Sequence, residues 1–180
     1  MKNIRNFTAM RIYLIGYMAS GKSNLGKLLS EKLGYSFLDL DDLFEERFRI
    51  SVFDFFEKYN ENEFRKIEET LLLETVGHDD VVISTGGGTP CFFENMQFIR
   101  KAGLSIYLQW QIPALVNRLR KVKRKRPLLS DIPADELEER VMKQLAQRDL
   151  YYNQANLTID AENLELDTLL LWIQSHREII

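Results

Sequence analysis

The sequence predicts one α/β domain built on a parallel sheet, and three observations carry that prediction. Short β-rich apolar runs alternate with longer stretches whose apolar residues fall at helical spacing, the pattern of strands covered by helices on both faces. A glycine-rich turn at residues 16–23 stands between the first such run and the first helix. The chain has 180 residues, 45% of them hydrophobic and 28% charged, which suits a single packed core rather than a disordered chain.

The elements follow in order. Residues 1–9 read as a polar lead-in, with Met10 a candidate alternative start. Ile12, Tyr13, Leu14 and Ile15 form a first buried strand ended by Gly16. Leu25, Leu28, Leu29 and Leu33 set the apolar face of a helix over Lys22–Leu33, closed by Gly34. Residues 35–40 give a second strand. Phe44, Phe48, Phe53 and Phe56, then Phe64, Ile67, Leu71 and Leu72, fit short helices and one longer helix, an aromatic stripe expected to be mostly core. Val81 to Ile83 is a third strand running into Gly86, Gly87 and Gly88. Pro90 is expected to open the next helix, which reaches Ala102 before Gly103. Residues 104–109 make a fourth strand and 112–120 a helix. Residues 121–133, basic and interrupted by Pro127 and Pro133, read as a loop. A helix over 135–152, a fifth strand over 157–159 and a closing helix over 164–176 complete the chain, with no internal repeat.

Composition removes several function classes. Lys and Arg total 24 against 27 for Asp and Glu, a net charge of −3, so no global charge points to nucleic acid. Cys91 alone cannot make an internal disulfide, and with only His78 and His176 it cannot complete a Cys/His zinc site. No apolar run approaches the roughly 20 residues that span a bilayer. Arg11 interrupts any apolar stretch near the start, so no signal peptide is read there and a cytoplasmic home is expected. Cys91 reads as a small packed residue rather than a reactive thiol.

The segment Gly16 to Ser23, GYMASGKS, matches G-x-x-x-x-G-K-[ST] in its required strand–turn–helix setting. Glycine lets successive backbone N–H groups turn toward phosphate oxygens, and the helix N-terminus adds to their attraction. Lys22 is expected to reach the β- and γ-phosphates of a nucleoside triphosphate, and the Ser23 hydroxyl to ligate Mg²⁺. In an open α/β sheet the acceptor belongs beyond the carboxyl ends of the strands. There Asp39 and Asp41 would share one face if the strand persisted, one holding metal-bound water and the other taking a hydroxyl proton. The competing reading is a helix N-cap with a neighbouring acid. Gly86, Gly87 and Gly88 offer N–H groups unobstructed by side chains, or else a flexible loop. On local grounds Arg65, one turn before Glu68 and Glu69, and Arg148 read as surface ion pairs. The run Arg118, Arg120, Lys121, Lys123, Arg124, Lys125 and Arg126 reads as a solvated face; without interleaved aromatic residues it does not suit single-strand nucleic-acid binding.

Together, Gly16-x-x-x-x-Gly21-Lys22-Ser23, Asp39-x-Asp41, Phe64-Arg65-x-x-Glu68, Gly86-Gly87-Gly88, Arg126-Pro127-Leu128-Leu129 and Arg148 resemble the shikimate kinases in order and near-spacing, over about residues 11–160. The resemblance implies a P-loop kinase with a five-stranded parallel sheet in order 2-3-1-4-5 flanked by helices. It also implies one domain over 1–180, a substrate-binding insert near 41–78 and a mobile lid near 121–133. The implied reaction is ATP- and Mg²⁺-dependent phosphorylation of the 3-hydroxyl of shikimate, on the route to chorismate and the aromatic amino acids.

The resemblance also implies roles. Gly16, Ala19, Ser20, Gly21, Lys22, Ser23, Asn24, Arg118 and Arg126 would bind ATP, Arg118 stacking on adenine, although spacing also permits Arg120. Asp41, Arg65, Gly87 and Arg148 would hold shikimate, both arginines on its carboxylate, within a segment that includes Gly86 and Gly88. Phe56 and Phe64 would line the apolar side of the ring, and Glu68 would orient Arg65. Lys22, Asp41 and Arg126 would be the catalytic set, with Ser23 and, through water, Asp39 on the metal. Planar guanidinium forks suit the carboxylate and Asp41 suits the hydroxyls. Ala19 replaces the family's usual glycine, which fits if its φ stays negative; Asn24 replaces a threonine and Leu150 a proline. The expected partners are ATP and shikimate, with no nucleic acid, no membrane and a monomeric state. The competing functions are a related kinase for gluconate or a nucleoside monophosphate, and a nucleotide-binding module without catalysis.

Overall fold

The computed structural model describes residues 10–121, 133 and 135–176 of the chain. The lead-in over residues 1–9, most of the loop over 121–133 and Arg126 lie outside the described residues.

The strands are β1 (Arg11–Ile15), β2 (Ser36–Asp39), β3 (Val81–Ser84), β4 (Leu104–Gln109) and β5 (Leu157–Asp160). All neighbours pair parallel, in the order β2-β3-β1-β4-β5 that the family resemblance implies. The helices are α1 (Lys22–Leu33), α2 (Leu40–Phe48), α3 (Val52–Lys58), α4 (Glu61–Glu74), α5 (Asn95–Ala102), α6 (Ile112–Lys121), α7 (Leu137–Tyr152) and α8 (Leu166–His176).

Alternation along the central strand divides the core. Ile12 and Leu14 of β1 face one layer, with Leu25 and Leu29 of α1 and Leu169 and Ile173 of α8. Tyr13 and Ile15 face the other, with Phe44, Phe55, Phe64, Leu71 and Leu72 from α2, α3 and α4 and Val141 and Leu145 of α7. The aromatic stripe is core only in part: Phe44 and Phe64 are buried, Phe53 and Phe56 are half-buried and Phe48 is exposed, while Phe55, outside the expected stripe, is buried. Phe44 meets Phe55 edge-on at 5.2 Å and Phe64 at 5.1 Å between centroids.

Among the expected boundaries that move, two bear on the site. The second strand stops at Asp39, and Leu40 already belongs to α2, so Asp39 and Asp41 do not share a strand face. Asp39 instead caps α2, its carboxylate accepting from the Asp41 N–H at 3.0 Å, because an acid there satisfies an orphan donor of the first turn. The helix expected from Pro90 begins only at Asn95. Pro90 sits in an isolated 3₁₀ turn, Thr89–Cys91, and Phe93 turns left-handed at φ 48° before α5 can start.

Candidate active site

The sheet order brings the loop after β1 beside the ends of β2, β3 and β4, the crevice expected where strand order reverses. Gly16 and Gly21 have φ of 141° and 98°, backbone that disfavours a side chain. Ala19 shares the left-handed region at φ 62°, so the condition under which alanine would replace glycine without strain is not met. Lys22 is buried, and its Nζ donates to the Gly16 and Tyr17 carbonyls, each at 2.9 Å. The Ser23 hydroxyl donates to Asp39 Oδ2 at 2.6 Å, so two hard oxygen donors stand side by side at the loop.

These residues border a cleft of about 250 Å³ lined by Ala19, Gly21, Lys22, Ser23, Asn24, Asp39, Asp41, Gly87 and Arg118, among others. Among the described residues no group of three His, Cys, Asp or Glu side chains could cage a metal ion. A hydroxyl beside one carboxylate is the donor set that suits Mg²⁺ arriving with nucleotide phosphates rather than an all-protein metal cage. Arg118 lines this cleft, its Nε donating to the Ala19 carbonyl at 2.8 Å, while Arg120 is exposed on the same helix.

A smaller pocket opens beside it, lined by Asp41, Phe56, Phe64, Arg65, Glu68, Gly86, Gly87, Gly88 and Arg148, among others. Arg65 is not the surface residue that its local spacing suggests; it is 4% exposed. Its Nη1 donates to Glu68 at 2.6 Å, and its Nε and Nη2 donate to Glu61 at 3.1 and 2.9 Å. Burial works against the charge, but the Glu68 and Glu61 carboxylates outweigh it and raise the guanidinium above its ordinary pKa. Glu68 is held in turn by the Thr89 hydroxyl at 2.6 Å. The rings of Phe92, Phe64 and Phe56 lie 4.4, 5.2 and 5.9 Å from the Arg65 guanidinium carbon.

The triplet that follows β3 is small because its neighbours are close, not because of its φ values. A Cβ on Gly88 would lie 2.5 Å from Arg65 Nη2, and one on Gly86 would collide with Glu68. Arg148, one turn before the end of α7, reaches the Gly87 carbonyl at 3.4 Å and stacks 5.1 Å from the Tyr17 ring centre. The Tyr152 hydroxyl, one turn on, also donates to the Gly87 carbonyl. Burial raises Tyr152 above the ordinary phenol range and pushes Tyr17 up to about 12, so both remain neutral donors.

The structure thus brings Gly16, Lys22, Ser23, Asp39, Asp41, Arg65, the glycine triplet and Arg148 to one crevice. Reading the sequence missed Glu61 as the second partner of Arg65, and it missed Thr89, Tyr17, Trp110 and Tyr152. Trp110, directly after β4, sends its indole N–H to the Ser20 carbonyl at 2.8 Å and stacks 4.3 Å from the Arg118 guanidinium. Its place at the carboxyl end of a strand was the available signal.

Comparisons with known proteins point one way. The shikimate kinase family model matches residues 18–175. The shikimate kinase of Azobacteroides pseudotrichonymphae is 40% identical over 161 residues, covering 89% of this chain and 95% of that protein. That of Bacteroides fragilis is 42% identical over 156 residues, covering 87% of each. The crystal structure of the Bacteroides thetaiotaomicron shikimate kinase superposes with a TM-score of 0.86 at 38% identity, covering 95% of this chain and 99% of that one. The Acinetobacter baumannii shikimate kinase in complex with shikimate gives 0.83 at 30% identity, covering 94% and 93%. A gluconokinase from Sinorhizobium meliloti gives 0.58 at 15% identity, with 97% and 94% covered, a likeness of fold alone.

Proposed function

The chain belongs to the shikimate kinase family, and from that premise we propose that it transfers the γ-phosphoryl group of ATP to the 3-hydroxyl of shikimate, releasing ADP. One observation carries the reading to these residues: Met18, Asp41 and Gly87 line both the phosphate-loop cleft and the arginine pocket. Donor and acceptor therefore meet across a shared wall.

In this reading the backbone N–H groups of the Gly16–Ser23 loop hold the phosphates, and Lys22 leaves the loop carbonyls for the β- and γ-oxygens. Ser23 and Asp39 would hold Mg²⁺, which when bound would supply charge neutralisation on the phosphates. Arg65 and Arg148 take the shikimate carboxylate as charge-assisted forks. Asp41, in the first turn of α2, orients the 3-hydroxyl and accepts its proton. Phe56 and Phe64 give the ring an apolar wall, and the Gly86–Gly88 segment approaches it with backbone alone. Phosphoryl transfer passes through a loose transition state, so alignment and charge supply most of the rate.

Arg126 completes the charge set over the phosphates, within a lid near 121–133; this assignment rests on the sequence match Arg126-Pro127-Leu128-Leu129. The acceptor region near 41–78 and the whole chain as one domain belong to the same proposal, as do a cytoplasmic location and a monomeric working unit. Among the described residues no helix is long and apolar enough to cross a membrane. The test offers Mg-ATP with shikimate, gluconate or a nucleoside monophosphate, and follows ADP release and phosphorylated product by mass. Shikimate alone should turn over; preferential transfer to another acceptor, or ADP release that ignores the acceptor, contradicts the proposal.

A further inference from the structure

The nucleotide loop contains a non-glycine residue in left-handed backbone, Ala19 at φ 62°. Glycine adopts that conformation without penalty and alanine does not, so something must hold the loop there. Two side chains do so on consecutive carbonyls. Arg118 Nε donates to the Ala19 carbonyl at 2.8 Å, and Trp110 Nε1 donates to the Ser20 carbonyl at 2.8 Å.

These two side chains also hold each other. The guanidinium carbon of Arg118 lies 4.3 Å from the centre of the Trp110 ring, a cation–π stack. Trp110 directly follows β4, so its backbone is fixed to the sheet, whereas Arg118 reaches the cleft from α6 on a flexible stem. A planar guanidinium has two faces. One is covered by the indole, and the Nε edge is tied to the loop; among the described residues the terminal N–H groups have no hydrogen-bond partner and can serve a ligand in the cleft that Arg118 lines.

We propose that Trp110 is a positioning residue of the nucleotide site. It clamps the Ala19–Ser20 backbone through its N–H and presets Arg118 through its ring, so that a nucleotide base meets an arginine already oriented. Preorganisation of this kind raises affinity by removing the cost of ordering a side chain on binding. The inference rests on the nucleotide half of the reading above and is independent of which acceptor is used.

The test measures ADP binding by titration calorimetry, with no acceptor present, for the wild type, Trp110→Phe and Trp110→Leu. Trp110→Phe keeps the stack and loses the N–H bond, and should weaken ADP about 5-fold. Trp110→Leu loses both and should weaken it roughly 30-fold. In steady state, KM for ATP should rise in parallel, while KM for shikimate and kcat stay within about 2-fold. A merely structural tryptophan would move both KM values and kcat together. The chain has two tryptophans, so a Trp172→Phe background isolates Trp110, whose emission should change on ADP addition.

Equal ADP affinity in wild type and Trp110→Leu, at an intact melting transition, overturns the inference. Should Trp110→Leu not fold, Trp110→Phe decides, and ADP binding unchanged in it overturns the inference. A wild type that binds ADP but phosphorylates no shikimate removes the acceptor reading and leaves this one standing. A wild type that binds no ADP defeats both.

Discussion

Arg65→Lys separates recognition from bare charge. A guanidinium carries five N–H donors. Three of those of Arg65 are engaged, Nη1 on Glu68 and both Nε and Nη2 on Glu61. Among the described residues two remain, one on each terminal nitrogen, the number a bidentate carboxylate requires. Lysine keeps the charge but cannot serve Glu61, Glu68 and a substrate carboxylate in that fixed geometry. Charge-assisted hydrogen bonds contribute about 1.5–3 kcal/mol each, and part of the two is recovered by the ammonium, so a net loss of about 2 kcal/mol follows. That predicts KM for shikimate raised about 30-fold, with KM for ATP within about 2-fold. Coupled ADP release at saturating ATP and varied shikimate reads it directly. Urea denaturation supplies the control: Arg65→Lys should cost about 1–2 kcal/mol, since Glu68 keeps a cation. Arg65→Met should cost about 3–5 kcal/mol, because it leaves the Glu68 carboxylate, 3% exposed, with the Thr89 hydroxyl as its one remaining hydrogen-bond partner among the described residues. An unchanged shikimate KM in a folded Arg65→Lys variant refutes the reasoning.

Three further residues carry expected outcomes. Tyr152→Phe removes one of two donors to the Gly87 carbonyl, leaving Arg148, and should raise KM for shikimate about 5-fold at near-constant kcat, as measured in the same assay. Ala19→Gly should change stability by less than about 0.5 kcal/mol, relief of left-handed strain being offset by a freer unfolded chain, whereas β-branched Ala19→Val should cost about 2 kcal/mol in urea denaturation. Burial pushes the Cys91 thiol up to about 11 from 9.0, so alkylation by iodoacetamide near pH 8.5 should run on the order of a hundredfold slower than for a free thiol. Because the folded pKa is the higher one, the Cys91 contribution to stability is full below pH 9 and is lost as pH rises toward 11. Cys91→Ala should remove that part of the alkaline slope.

What could be read from the sequence was local. α1 and β4 lie where periodicity puts them, because Gly34 in left-handed backbone stops one and the apolar run Leu104–Leu108 defines the other. The end of β2 was harder, since buried Leu40 continues a strand pattern and a helix pattern equally well, and the Asp39 cap decides between them. The phosphate loop was legible because its chemistry sits in eight consecutive residues. Arg65 was misjudged on local spacing because its burial comes from Phe92 and Phe64 closing over it, and Phe92 belongs to another stretch of chain. Trp110 with Ser20 and Tyr152 with Gly87 are separated by 90 and 65 residues, so those contacts exist only once the sheet has formed.

The most direct measurement is the fate of the γ-phosphorus. Incubation of the wild-type chain with Mg-ATP and shikimate, followed by phosphorus NMR of the product, should show one ADP formed per phosphate ester, with the phosphorus coupled to the proton on carbon 3 of shikimate. Phosphorus recovered as inorganic phosphate, or on any other oxygen of shikimate, contradicts a crevice in which donor and acceptor share the wall formed by Met18, Asp41 and Gly87.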